Sequence, residues 1–211
     1  MDIHAPESPV HSFKDFAIHI SIVTCGILIA LGLEGIRESV HERHLVKETR
    51  ENFRHEMLAN KDQMNNECAR VGSYEKNLKS LVDDAPTLSL QDPATFAARL
   101  NVDRTPNYIL SWQAWQAALS TGALAHMSTD EVTAYSSAAD GIKIYSGLQD
   151  EIRPLESTLK ANVAAHPHPN PDQAATEIEQ LIIFYNQERG MNGVCPQIQS
   201  DIDQAIAATD R

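Results

Sequence analysis

Cysteine is scarce in this chain, three in 211 residues, and basic side chains are outnumbered, 17 lysines and arginines against 29 aspartates and glutamates. The formal charge of −12 leaves no basic stripe or aromatic-basic interleaving to neutralise phosphates, so nucleic acid is not an expected partner. The cysteines show no C-x-x-C spacing, which argues against a zinc site, and no C-x-x-C-H for haem attachment. Also missing are a glycine-rich phosphate loop, His-Glu-x-x-His and a nucleophile elbow. No segment alternates with the period of two that a half-buried strand requires. These absences point away from an enzyme, a cofactor and a metal, and toward an all-α fold.

Long apolar runs are equally rare, and the single one is informative. Residues 16–33 read FAIHISIVTCGILIALGL without a charged side chain. At about 1.5 Å rise per residue such a helix spans roughly 27 Å, close to the thickness of a bilayer core. A buried helix of a soluble domain seldom lacks a polar face over this length. A cleaved signal peptide fits poorly: Lys14 is the lone basic residue of the first fifteen, no Ala-x-Ala site follows, and Glu34 and Arg37 continue the helical register. The expectation is a retained one-pass anchor with the lipid bilayer as partner. Within it, Gly26 and Ala30 form a small-xxx-small pair, which Gly32 and Gly35 extend, allowing close helix contact with another integral membrane protein or a second copy. His19 is a candidate intramembrane polar contact, placed where a neutral imidazole reaches the interface. Cys25 reads as a small packing residue.

Proline is absent from Glu34 as far as Ala85, and Gly35 and Gly72 are the only glycines there. Ile36, Val40, Val46, Phe53, Met57, Met64, Cys68, Val71, Leu78 and Leu81 recur at helical intervals between charged faces, predicting a long helix continuous with the anchor. Unbroken, it would reach roughly 70 Å beyond the membrane. The spacings favour an apolar stripe over a strict heptad, hence packing within the chain's own domain. Asp83, Asp84 and Pro86 read as its end.

Farther along, Asp92 and Pro93 suit the cap and first turn of a short helix reaching Leu100. Another is expected from Thr105 or Pro106 to Ser120, closing near Gly122, with Trp112, Trp115 and Leu119 on one face. Ser128 and Glu131 make a capping box, opening a helix with Val132, Tyr135, Ala139, Ile142, Tyr145 and Leu148 on one side and a possible kink at Pro154. Residues 166–171 alternate histidine and asparagine with proline as a linker. Ile178, Leu181, Ile182 and Tyr185 stripe the next helix, and Gly190 to Gly193 suggests a break before a terminal one. The expected organisation is a tail over 1–15, a transmembrane helix over 16–33, a stalk helix over 34–84, a small helical bundle over 85–165, the linker, and C-terminal bundle helices over 172–211.

Candidate chemistry is thin. His41 and His44 lie three apart with Glu38 or Glu48 nearby, a weak metal pattern. Cys68 and Cys195 suit one disulfide in an oxidising compartment. Trp112, Trp115, Tyr135 and Tyr145 offer an alternative ligand pocket between bundle helices, although aromatic core packing explains them as well.

The anchor ending in Gly26-Ile-Leu-Ile-Ala-Leu-Gly32-x-Glu34, His41-x-Arg43, the Glu/Arg-rich helix with Asn60 and Cys68, Trp112-x-x-Trp115 and Ser120-x-Gly122-x-Leu124 together resemble uncharacterised bacterial single-pass membrane proteins with a helical extramembrane domain. The resemblance is firmest in the first sixty residues and brings no established activity. It implies an inner-membrane protein with its N-terminus inside and its domain in the periplasm. Arg37, Arg43, Lys47 and Arg50 after the anchor argue for the opposite orientation, since positive flanks stay cytoplasmic. The expected function is an auxiliary or scaffolding subunit of an integral-membrane assembly; the alternative is a periplasmic binding or sensing module.

Overall fold

The computed structural model describes residues 13–101 and 109–209. The expected helix start at Thr105 or Pro106 and most of the N-terminal tail lie outside them. The described residues form five α-helices, one short 3-10 helix and no strand. They divide into two units, Met1–Lys47 and Glu48–Arg211.

The first unit consists of the opening part of α1 (Phe13–Gln91), with Asp15 in the first turn complementing the helix dipole. Every residue from 13 to 41 is exposed. Ile36 and Val40, expected on the buried stripe, are therefore open along with the apolar run that precedes them.

The second unit is built on the rest of α1 together with α4 (Thr129–Ala165) and α5 (Pro171–Thr209). Arg50 meets Glu131 and Glu67 meets Tyr145, so α1 and α4 run parallel. Lys61 pairs with Asp203, Cys68 with Cys195 and Glu75 with Asn192, so α5 runs antiparallel to both. On α5 the buried positions include Ala174, Glu177, Leu181, Phe184, Glu188, Met191, Cys195, Ile198, Ile202 and Ala205, which alternate by three and four, with Tyr185 and Ala208 buried beside them. Glu131, Tyr135, Ala138, Ile142, Tyr145, Gln149 and Ile152 repeat the alternation on α4, and Phe53, Met57, Asn60, Met64, Glu67 and Val71 repeat it on α1. That 3.5-residue average is the period of coiled-coil packing. The apolar residues alone obscured it on α1, because Asn60 and Glu67 occupy core positions.

Three expected interruptions are absent. α1 continues through Pro86 to Gln91, α4 through Pro154, and α5 through Gly190, Gly193 and Pro196. Proline inside a helix forfeits one backbone hydrogen bond and crowds the preceding turn, about 3 kcal/mol. All three prolines lie on exposed faces, while Ala85, Ile152 and Cys195, within two residues of them, are buried. Continued core packing outweighs the local cost.

The short helices close one flank. In α2 (Pro93–Arg99), Asp92 Oδ1 accepts the Thr95 amide at 3.1 Å, and Phe96, Ala97 and Leu100 are buried. α3 (Gln113–Thr121) ends at Gly122, whose φ of 74° is the left-handed conformation that glycine reaches without a Cβ clash. The 3-10 helix Ala123–His126 leads to Ser128, whose hydroxyl accepts the Glu131 amide while Glu131 accepts the Ser128 amide. Between α4 and α5 only residues 166–170 are non-helical.

The Cys68–Cys195 disulfide ties α1 to α5 across 127 residues of sequence, with the two Cα atoms 5.8 Å apart. Closing so long a loop removes much chain entropy from the unfolded state. Cys68→Ala with Cys195→Ala is expected to lower stability by about 2–4 kcal/mol with unchanged helix content. Denaturant unfolding followed by circular dichroism checks this; an unchanged midpoint would show that the link constrains nothing.

Candidate functional site

The two units present different candidates. In the first, α1 alone among the described helices is long and apolar enough to cross a membrane, and none of its apolar window is buried. Ile22, Leu28, Ile29, Leu31 and Leu33 are all more than 60% exposed. Two polar side chains in this stretch, His19 and Ser21, turn inward on the helix itself. His19 Nδ1 donates to the Asp15 carbonyl at 2.8 Å, and Ser21 Oγ donates to the Ala17 carbonyl at 2.8 Å. His19 thus reaches its own backbone, and Nε2 is the ring atom left to face outward. Gly26, Gly32 and Gly35 have no atom within 4 Å of where a Cβ would stand, so their small surface is open. Cys25 is an exposed free thiol.

In the second unit the charged chemistry is internal. Glu67 is wholly buried and accepts from Arg70 Nε at 2.9 Å, Arg70 Nη2 at 2.7 Å, the Tyr145 hydroxyl at 3.1 Å and Gln149 Nε2 at 3.4 Å. Burial works against the Arg70 charge, but hydrogen bonding to Glu67 and the fields of Glu67 and Glu188 prevail and raise its pKa. This cluster joins α1 to α4 beside the disulfide that joins α1 to α5. A carboxylate with four donors is stable at a core position; without them its desolvation would cost several kcal/mol.

A second ion pair stands at the start of α4. Arg50 Nε and Nη2 donate to Glu131 at 2.6 and 3.0 Å, and Glu131 also accepts the Ser128 amide and hydroxyl at 3.1 and 2.9 Å. The hydrogen bonds from Arg50, followed by those from Ser128, hold the Glu131 carboxyl below the usual glutamate range despite its burial. One side chain therefore caps α4 and locks it to α1. One turn on, burial first and the Glu131 charge second push the Tyr135 hydroxyl up to about 12.

The aromatic residues considered as a ligand pocket lie in the core, Tyr135 and Tyr145, or pack against it, Trp112 and Trp115. Tyr135 and Tyr145 have no exposed surface. Phe53 stacks on Tyr135 with ring centres 4.0 Å apart and stands 6.3 Å from the Trp115 ring, filling the space between them. Trp112 and Trp115 pack against the core while Leu119, expected on their face, is about half exposed. An open groove of about 360 Å³ lies elsewhere, lined by Ala94, Ala97, Ala98, Asn101, Lys160 and Val163 among others. Among the described residues no three His, Cys, Asp or Glu side chains gather as metal ligands, so His41 and His44 stand without such a set.

Sequence reading missed a clasp on α3. Trp112 occupies its N-cap without a side-chain cap bond, and Glu56 from α1 supplies one by accepting the Ala114 amide at 3.0 Å and the Ser111 hydroxyl at 2.7 Å. Asn60 pairs with the Ser111 backbone in both directions, donating at 2.7 Å and accepting at 2.9 Å. The available signal was a polar residue at a core register position, legible only once the 3.5-residue period is followed through polar residues.

Comparison with known proteins finds no matching family model, no matching curated protein and no matching solved structure.

Arg50→Met is expected to destabilise the chain by about 1–3 kcal/mol at neutral pH by leaving Glu131 without its strongest donor. Because folding lowers the Glu131 pKa, this stabilisation is full above the ordinary glutamate range and is lost as pH falls through the lowered value. Urea unfolding at about pH 7 and about pH 3 should show the difference between the two proteins shrinking in acid; a gap that stays constant would detach the effect from Glu131 ionisation.

Proposed function

We propose that this chain is a membrane-anchored auxiliary or scaffolding subunit, with residues 16–33 crossing a bacterial inner membrane once and the helical bundle bracing or capping an integral-membrane assembly. The supporting observation is the wholly exposed apolar stretch of α1. An exposed, uncharged and predominantly apolar run of eighteen residues far exceeds the apolar patches that soluble proteins leave to water, and a bilayer is the environment that removes its cost. The inward bonding of His19 and Ser21 supports the same reading, since polar atoms within hydrocarbon must be satisfied by the helix itself.

Placement of the bundle in the periplasm is favoured by the Cys68–Cys195 disulfide, because disulfides persist in oxidising compartments and are rare in the cytoplasm. The basic residues that follow the anchor oppose this placement, and the covalent link is given the greater weight. This is also the topology implied by the resemblance to bacterial single-pass proteins. The bundle suits a structural role: charged residues pair its helices with one another, Arg50 of α1 with Glu131 of α4, and Glu67 of α1 with Tyr145 and Gln149 of α4. The open small-residue surface at Gly26, Ala30, Gly32 and Gly35 is where a second membrane helix, from a partner or another copy, would approach.

Expressed in a bacterium, the full chain should stay in the membrane fraction through alkaline carbonate extraction, and the disulfide should form in vivo with a protease-accessible bundle in spheroplasts. Isolation in mild detergent should recover another membrane protein, or a second copy, in fixed ratio. Release by carbonate would refute the anchor. Isolation as a lone monomer, with no crosslinked partner in intact membranes, would refute the scaffolding role.

A further inference from the structure

Glu177 occupies a core position of α5 between Ala174 and Leu181, with its side chain only 1% exposed and with neither carboxylate oxygen receiving a hydrogen bond. The contrast with Glu67 and its four donors is sharp. The titratable group facing Glu177 is His166, whose Nδ1 lies 3.7 Å from Oε1 and whose ring is 36% exposed. His166 is the C-cap of α4, and its backbone amide donates to the Asn162 and Val163 carbonyls at 3.0 and 3.2 Å. The buried carboxyl thus touches the first residue of the turn that reverses the chain into α5.

We propose that Glu177 and His166 form a proton-held latch on the α4–α5 turn, closed while the pair holds a proton and released when that proton is lost to solvent. With one proton present, the pair is either an ion pair or two neutral groups, and both states are tolerable at a buried site. Removing it leaves a carboxylate with no compensating charge or hydrogen bond, the costliest state available to a core side chain. The exposed edge of the imidazole gives solvent access to the pair. Other charges near this end of the bundle are engaged elsewhere: Asp83 with Lys79 and Asp84 with Arg99 on α1 and α2, and Glu156 with Lys160 on α4. On α5, Asp172 and Glu179 are exposed.

The direction of the response follows from the burial. Desolvation first, against the opposing pull of His166, raises the Glu177 pKa, so the folded chain keeps a proton that the unfolded chain gives up. The associated stability is full below the ordinary glutamate range and declines as pH rises through the folded value. The pair keeps its last proton to higher pH than Glu177 alone would, because either site can hold it. The latch is closed in acid and released toward alkaline pH.

The amides of Gln173 and Ala174 report the turn, because they donate to Asn170 Oδ1 at 3.0 Å and to the Asn170 carbonyl at 2.9 Å. Hydrogen exchange of the full chain in detergent micelles, expressed as protection factors from about pH 5.5 to 8.5, tests the latch. In the wild type the protection of these amides should fall as pH rises, by up to about tenfold per pH unit, while the Tyr145 amide stays level. Glu177→Gln, an isosteric neutral group, should flatten the profile, and His166→Gln should move the fall to lower pH. A level wild-type profile, or the same decline in Glu177→Gln, would overturn the proposal, as would an unmoved midpoint in His166→Gln.

Discussion

The packing of α1, α4 and α5 along a 3.5-residue seam is the constraint on which the second unit depends. Core residues that alternate by three and four keep one face of each helix turned toward its neighbours, so side chains interlock layer after layer. Phe53, Met64, Val71, Tyr135, Ile142, Ile152, Leu181, Phe184, Met191 and Ile202 are all buried along it, and α2 adds Phe96 and Leu100 from one flank. Because the burial is distributed over many turns, local helix breakers do not break the helices. Pro86, Pro154 and Pro196 each interrupt one hydrogen bond on the solvent side, while the seam continues past them.

A seam of apolar residues alone would tolerate sliding by a heptad. Polar residues at core positions remove that freedom, since each must meet its own partner or lose its hydrogen bonds in a dry interior. Glu67 finds Tyr145 and Gln149 on α4 and Arg70 on its own helix, and Asn60 finds the backbone of Ser111. Glu131 reads two registers together, the start of α4 through Ser128 and the side of α1 through Arg50. The disulfide fixes α5 against α1 in the same way, by covalent means. Glu177 differs from these in having a single, titratable partner, which turns a register device into a proton-sensitive one.

The first unit obeys the opposite rule. Its apolar side chains have no protein neighbours to bury them, and within the apolar run His19 and Ser21 bond back to the helix. Proteins manage exposed apolar surface by giving it a partner, and here length and composition match a bilayer. Under the proposed function this stretch would be the anchor, and the bundle that follows would hold or brace other proteins in the membrane.

Some of this was legible in the residues because the signals are local. The capping box of Ser128 and Glu131, the Asp92 cap with Pro93, the glycine closing α3 and the all-helical class follow from nearest-neighbour chemistry. The apolar run declared its own length. By contrast, Pro86 and the Gly190 to Gly193 stretch read as helix ends, and only the tertiary structure shows the burial that carries α1 and α5 past them. Asn60 and Glu67 were not among the stripe residues, since nothing local reveals that Ser111 and Tyr145 are waiting across 51 and 78 residues of chain. Glu56 capping α3 from another helix is invisible for the same reason. Local hydrogen bonding and helical periodicity were fixed by the sequence alone; the identity of each buried polar partner was decided by folding, because desolvation and charge pairing depend on distances that no sequence interval contains.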